Sequence, residues 1–273
     1  MKKLLFLFLC TFTLSFAATA CSNKPKAPKD VIGASIKAME QVNSFRSVIE
    51  VQQDTTYAEK NADASPSKDT STIKMDYIKK PEALYQTTHI SFSDGYQNFK
   101  GELYLLEGDV YATDVLSRWT KGTGAGIRPS LEATRKHLSI IYELKWLESH
   151  SDKIQMEEKD EQYVLTLSGS GNNFKSFTEY LLDITLPALY SSQFVDNLVT
   201  NSLTYNVFID KETLRLVNTI ITTDLEMTVD EGHNLIETIQ TIKETYSNFN
   251  EVESIVLPDE VRENHIDYTS SEG

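Results

Sequence analysis

The sequence predicts an α+β protein: a long curved antiparallel sheet, an incomplete β-barrel of about ten strands, wrapped around or covered by amphipathic helices. Three observations carry this. Apolar and polar residues alternate along most of the chain, with turn residues between the alternating runs. Helical spacing is confined to an opening segment and two insertions. A sheet with one apolar face needs a cover for that face, and the three helical stretches are the available material.

Taken in order, Asp30 is placed to cap a first helix, in which Ile32, Ser35, Ile36, Met39 and Val42 form one stripe. The period then changes to two: Phe45, Ser47, Ile49 and Val51 alternate with Arg46, Glu50 and Gln52. The polar stretch from Tyr57 to Thr72 reads as a loop. Ile73, Met75 and Tyr77 begin the next strand, and Lys79-Lys80-Pro81-Glu82 turns it, since proline cannot donate to a ladder. Strands are expected over Leu84 to Phe92, from Phe99 to Leu105, and over Val110 to Val115, the last entered through the tight Glu107-Gly108-Asp109 turn. Lys121 to Gly126 reads as a second loop. Pro129 suits the start of a second helix, with Leu131, Leu138, Ile141 and Tyr142 on one face. Strands return at Lys153 to Glu158 and Gln162 to Ser168. A third helix follows, with Phe174, Phe177, Leu181, Ile184 and Ala188 on one side. The last third is strand-rich: Leu203 to Ile209, the long alternating run Val217 to Val229, Leu235 to Ser247, and Ile255-Val256-Leu257-Pro258 at the close.

The first residues carry a different message. Lys2 and Lys3 precede an apolar run, Leu4 to Phe16, which is shorter than the ~20 residues needed to cross a bilayer. Ala17 to Ala20 are small and lead to Cys21, the layout of a cleavable export signal. The cysteine after small residues resembles the lipobox of bacterial lipoproteins, with Ala18 where that pattern usually has leucine. An ordinary secretory signal or an uncleaved anchor are the other readings. Under the lipobox reading Cys21 is acylated and becomes the first mature residue. It is then the mature chain's sole cysteine, so no internal disulfide is available. Two acyl chains supply the stable anchoring that one chain does not. The expected division is a signal peptide over 1–20, the acylated cysteine and a polar tether over 21–30, one domain over 31–268, and a short tail over 269–273. The expected location is the extracytoplasmic face of the cell membrane. In the tether, Lys24, Lys26 and Lys29 either touch anionic headgroups or only keep it hydrated.

The formal net charge is −14, and loss of Lys2 and Lys3 with the leader makes it more negative. Nucleic-acid binders carry a basic patch, so no nucleic-acid partner is expected.

The order of elements adds a resemblance. A cysteine, a polar tether, and a helix ending in Val42-Asn43-Ser44-Phe45 before long meandering strands resemble the LolA/LppX-like lipoproteins. Tyr246-Ser247-Asn248-Phe249-Asn250, followed by Ile255 to Val261, resembles the close of a Gram-positive lipoprotein family of unknown function with that fold. The Trp119–Lys121 pair after a hairpin is similar too. The resemblance covers about Asp30 to Val261. It implies an incomplete barrel with an apolar cavity under helices that holds acyl chains. Phe92, Phe99, Leu103, Phe174, Phe177, Tyr205 and Ile221 are then candidates for lining the cavity. The same residues serve equally as an ordinary packed core.

Catalytic patterns are not apparent. His89, His137, His150, His233 and His265 are scattered, without metal-ligand spacing. There is no HExxH, GxSxG or acidic calcium loop. Gly122 to Gly126 lacks the Gly-Lys-Ser/Thr ending of a phosphate loop. The adjacent carboxylates Glu157-Glu158, Asp230-Glu231 and Asp259-Glu260 would point to opposite faces of a strand. No cofactor, no metal and no enzymatic activity are expected. The leading expectation is a membrane-anchored protein binding a lipid or other apolar ligand between sheet and helices. The alternative is a fully packed module that meets a membrane- or wall-associated protein.

Overall fold

The computed structural model describes residues 27–57, 66–93, 97–114, 116–123, 140–185, 198–229 and 234–267. The leader, Cys21, the start of the tether and the tail over 269–273 lie outside these residues, as do Leu131, Leu138 and the Asp230-Glu231-Gly232 turn.

The described residues form one open sheet of twelve strands with helices on it, so the α+β expectation holds and the strand number was set too low. The strands are β1 (Ser44–Tyr57), β2 (Ser67–Ile78), β3 (Ala83–Ser91), β4 (Phe99–Leu106), β5 (Asp109–Thr113), β6 (Trp119–Thr123), β7 (Gln155–Glu158), β8 (Gln162–Gly169), β9 (Val199–Asp210), β10 (Leu216–Val229), β11 (Asn234–Ser247) and β12 (Ile266–Asp267). The helices are α1 (Pro28–Glu40), α2 (Ile140–Glu148), α3 (Lys175–Thr185) and α4 (Asp259–Glu263). The spatial order is β12-β6-β5-β4-β3-β2-β1-β11-β10-β9-β8-β7. Two antiparallel meanders, β1 to β6 and β7 to β11, are therefore joined where β1 pairs with β11 along its length, from Arg46 opposite Ser247 to Tyr57 opposite Ile236.

Local chemistry explains the elements. Helix α1 begins one turn earlier than Asp30 suggests, because Pro28 supplies a preset first-turn φ and Asp30 then lies in the first turn, where the helix dipole favours a carboxylate. Val31, Ile32, Ser35, Ile36 and Met39 are its buried stripe. The β4–β5 hairpin turns through Glu107 (φ 54°) and Gly108 (φ 89°), the left-handed pair that a two-residue turn requires. Ser67 to Thr72, expected as loop, belongs to β2, because pairing with Thr55 to Glu50 supplies ladder partners for a polar strand.

Alternation sends Phe45, Ser47, Ile49 and Val51 to one face, called inner here because α1, α2 and α3 pack on it. The main core lies between them: Val31, Ile32, Ile36 and Met39 of α1, Ile140, Leu144 and Leu147 of α2, and Phe174, Phe177, Tyr180 and Leu181 at α3, against Leu165, Leu167, Leu203, Tyr205, Val207, Ile221 and Ile242. Each such apolar side chain contributes about 1.5–3 kcal/mol when fully buried. Of the face expected for the second helix, Ile141 packs at the edge of the core. Ile140, Glu143, Leu144 and Leu147 point inward, whereas Tyr142 is exposed.

The chain's close is not a further strand of the inner core. After β11, Asn248 (φ 52°) and Asn250 (φ 64°) reverse the chain in left-handed conformations that asparagine tolerates. Asn43 N donates to Asn250 Oδ1 at 2.7 Å, and Asn250 N to Ser44 O at 2.7 Å, so the final segment is stapled to the start of β1. Ile255, Leu257 and Val261 then cross to the opposite, outer face and pack on Tyr104 and Tyr111.

Candidate functional site on the inner wall

Strand register lines up several candidate residues. Leu167 lies opposite Tyr205, Tyr205 opposite Ile221, and Ile221 opposite Ile242. Ile242 faces Val51, Val51 faces Ser71, Ser71 faces Ile90, and Ile90 faces Phe99. One row of inner side chains thus runs across eight strands, and only Ser71 in it is polar. Its burial is uneven. Leu167, Tyr205, Ile221, Ile242 and Val51 are buried, whereas Ser71, Ile90 and Phe99 are half-buried. Leu103 and Ile73 are half-buried on the same wall and touch the core from its edge, and Phe92 is half-buried just beyond β3.

The candidates therefore fall into two groups. Phe174, Phe177, Tyr205 and Ile221 sit together in the packed core under α2 and α3. Phe92, Phe99 and Leu103 lie on the β3–β4 part of the wall, where cover is partial. Phe99 folds its ring over Gly101, in space that a Cβ at that glycine would occupy.

The first group is held by aromatic stacking. The Phe177 ring lies 4.0 Å from Trp146, nearly parallel at 10°, and 5.3 Å from Tyr205. Trp146 also faces His150 at 4.4 Å. This stack ties α2 to α3 and both to β9.

Sequence reasoning missed the charged centre of this region. Glu143, 3% exposed, accepts hydrogen bonds from Tyr180 Oη at 2.9 Å and Tyr205 Oη at 2.8 Å. Glu244 is equally buried on β11 at 3%, on the same face as Tyr246. The signal was present: Ile140, Leu144 and Leu147 sit at i, i+4 and i+7, which places Glu143 within the apolar stripe. Burial first, then the negative field of Glu143, pushes the Tyr180 and Tyr205 hydroxyls well above the ordinary tyrosine range. Burial and Glu244 do the same to Tyr246.

These shifts set an alkaline limit. A phenol that holds its proton more tightly in the folded chain contributes stability that is complete below its unfolded value of about 10. That contribution is lost as pH rises through the higher folded value. Stability is therefore expected to fall steeply above about pH 10, with the phenolate absorbance of these three residues appearing only as the chain unfolds. A spectrophotometric pH titration run beside circular dichroism checks this. Ionisation of all the tyrosines with the fold intact would contradict it.

Beyond the apolar row, the same wall becomes polar. Thr223 faces Gln240, and Gln240 faces Gln53, to which its Nε2 donates at 3.2 Å. One step further, Thr238 faces Thr55, with their hydroxyls 3.5 Å apart. Thr55, Thr223, Thr238 and Gln240 are all buried, so the inner wall carries a hydroxyl and amide band beside its apolar row.

Comparisons with known proteins follow the fold and leave the activity open. No curated protein matches the sequence. Among solved structures, LprF from Mycobacterium bovis is 12% identical, with a TM-score of 0.43 over 85% of this chain and 96% of that one. A lipovitellin, described for its lipid–protein interactions, is 8% identical, with a TM-score of 0.34 over 79% of this chain and 26% of the other. A beta-barrel-like protein of the domain of unknown function DUF1849 from Brucella abortus is 8% identical, with a TM-score of 0.22 over 75% of this chain and 98% of that one. The match over residues 27–266 is to the family described as a family of unknown function, DUF6612, and the chain belongs to that family.

Proposed function

We propose that the protein is a membrane-anchored, extracytoplasmic lipoprotein that binds an amphiphile, a lipid or a related molecule, on the inner wall of its half-barrel, without catalysis. One observation carries this: the apolar inner row continues across β2, β3 and β4 after its burial by helices has faded. Ile73, Ile90, Phe92, Phe99 and Leu103 offer a hydrocarbon chain a surface that is only half covered. Each Å² of apolar surface that such a ligand removes from water contributes about 25 cal/mol. The adjoining band of Thr55, Thr223, Thr238 and Gln240 supplies donors and acceptors for a polar end. The leader over 1–20, followed directly by Cys21, supports the anchor, with two acyl chains at one end and the domain held off the membrane by a short polar tether.

Purification under mild conditions followed by native mass spectrometry is expected to find a co-purifying lipid, and a fluorescent fatty acid is expected to bind. The double substitution Ile90→Ser and Leu103→Ser should weaken that binding about tenfold or more, since each removes apolar contact worth roughly 1 kcal/mol or above. No lipid and no uptake by the unaltered protein would reject the proposal. Anchoring is tested separately: Cys21→Ala is expected to release the protein from membranes, and undiminished membrane association would reject the acyl anchor.

A further inference from the structure

The outer face of the first meander carries a groove unrelated to the inner wall. It has a volume of about 540 Å³, and its lining includes Lys74, His89, Lys100, Glu102, Thr113 and Trp119. Register explains how they meet. Lys74, Thr87 and Glu102 are direct cross-strand neighbours on β2, β3 and β4, as are Thr72, His89 and Lys100 in the next outer row. On β5 and β6, Thr113 lies opposite Trp119.

Three features of this groove point to a ligand. The first is charge. In a chain of formal net charge −14, Lys74 and Lys100 gather here beside His89, and neither lysine has an ion-pair partner among the described residues. Two other lysines of the first meander are paired, Lys121 with Asp109 at 2.8 Å and Lys68 with Asp54 at 3.0 Å. His89 and Lys100 stand directly opposite each other on β3 and β4. The groove's one carboxylate, Glu102, accepts from Tyr85 Oη at 2.9 Å.

The second feature is a hydroxyl array. Thr113 Oγ1 accepts from Glu102 N at 2.9 Å, which leaves its proton to donate outward. Thr72, Thr87 and Ser117 lie in the same lining. The third is Trp119, half-buried and braced by Tyr104 at 5.8 Å, with Tyr104 stacked on Tyr85 at 4.6 Å. A braced indole offers a flat apolar surface next to hydrogen-bonding groups, which suits a ring or chain with C–H groups on one side and hydroxyls on the other.

We propose that this outer groove binds an anionic carbohydrate polymer, one with sugar or polyol units carrying phosphate or carboxylate groups. Lys74, Lys100 and His89 meet the anionic groups, the threonine hydroxyls and Glu102 meet the ligand's hydroxyls, and Trp119 takes its apolar side. The groove is open and lined by hydroxyl, lysine and carboxylate groups beside the Trp119 ring, which fits a solvated polymer passing across the sheet and not a small apolar guest. Its position on the outer face leaves the inner wall free to hold a different ligand.

The test is a titration of the purified protein with poly(glycerol phosphate), with polygalacturonate and with neutral dextran, followed by tryptophan emission and by calorimetry. Binding of the two anionic polymers is expected, weakening as salt is raised, with dextran much weaker. The paired substitution Lys74→Glu and Lys100→Glu should reduce affinity about tenfold or more. Trp119→Phe, which keeps a ring against Tyr104, should remove the emission change while circular dichroism stays unaltered. The proposal is overturned if neither anionic polymer binds, if dextran binds as well as they do, or if the lysine pair has no effect. Binding only to phosphatidylglycerol vesicles would also overturn it, assigning the cations to lipid headgroups. None of these readouts involves fatty-acid uptake, so this site and the inner-wall reading stand or fall separately.

Discussion

Glu143→Ala is expected to lower the melting temperature by about 6–12 °C, from a stability loss of roughly 3 kcal/mol. The loss has two parts. Two hydrogen bonds to a carboxylate disappear, from Tyr180 Oη and Tyr205 Oη, and both hydroxyls remain buried where water does not replace the acceptor. A buried polar group left without its partner costs about 1–3 kcal/mol. Glu143→Gln keeps a carbonyl oxygen with two lone pairs and should cost about half as much. Removing all three polar ends together, with Glu143→Leu, Tyr180→Phe and Tyr205→Phe, should recover much of the loss, because the two tyrosine hydroxyls are no longer left orphaned. Thermal denaturation of the series decides the matter. Equal melting temperatures for the alanine and glutamine variants would show that the carboxylate is not what these tyrosines need.

The second large effect is expected at Phe177. Its side chain is 1% exposed and sits between Trp146 and Tyr205. Phe177→Ala should cost about 3–5 kcal/mol, the range for removing a buried ring and leaving a cavity. Loss of the stacking geometry adds about 0.5–1.5 kcal/mol for each aromatic pair. Because the ring joins α3 to α2 and to β9, the near-ultraviolet dichroism that Trp146 contributes should weaken as well. Phe177→Leu fills much of the same volume and should cost less than half as much. Chemical denaturation with an unchanged slope would attribute the loss to the folded state. A cost below about 1 kcal/mol would mean the neighbouring rings close over the gap.

Both predictions concern the part of the inner wall that helices cover. They bear on function through the row that runs from Leu167 to Phe99. Its buried end under α2 and α3 is a rigid support, and its half-covered end at β3 and β4 is the proposed ligand surface. Substitutions at Phe177 or Glu143 should therefore show first in stability, whereas Ile90 and Leu103 should show first in binding.

Reading the residues in order revealed most elements and the side each one buries. The alternation of Phe45, Ser47, Ile49 and Val51 is a property of four neighbouring positions and is visible without the fold. So is the stripe of Phe174, Phe177 and Leu181. Ser67 to Thr72 was invisible as strand, because its residues are polar and its stability comes from its partners on β1. Glu143 falls within the apolar stripe of Ile140, Leu144 and Leu147, but its partners Tyr180 and Tyr205 come from distant parts of the chain, and only the fold brings them to it.

Amphipathic periods depend only on the spacing of nearby side chains, so the amino-acid order alone determined that this protein is a mostly antiparallel sheet covered by amphipathic helices. Which strands become neighbours depends on contacts between remote segments. Only the tertiary structure therefore decided that β1 joins the two meanders through β11, that Ile255 to Val261 crosses to the outer face, and that Lys74, His89 and Lys100 share one groove. Cross-strand pairing acts between chain segments up to two hundred positions apart, and no local pattern encodes its register.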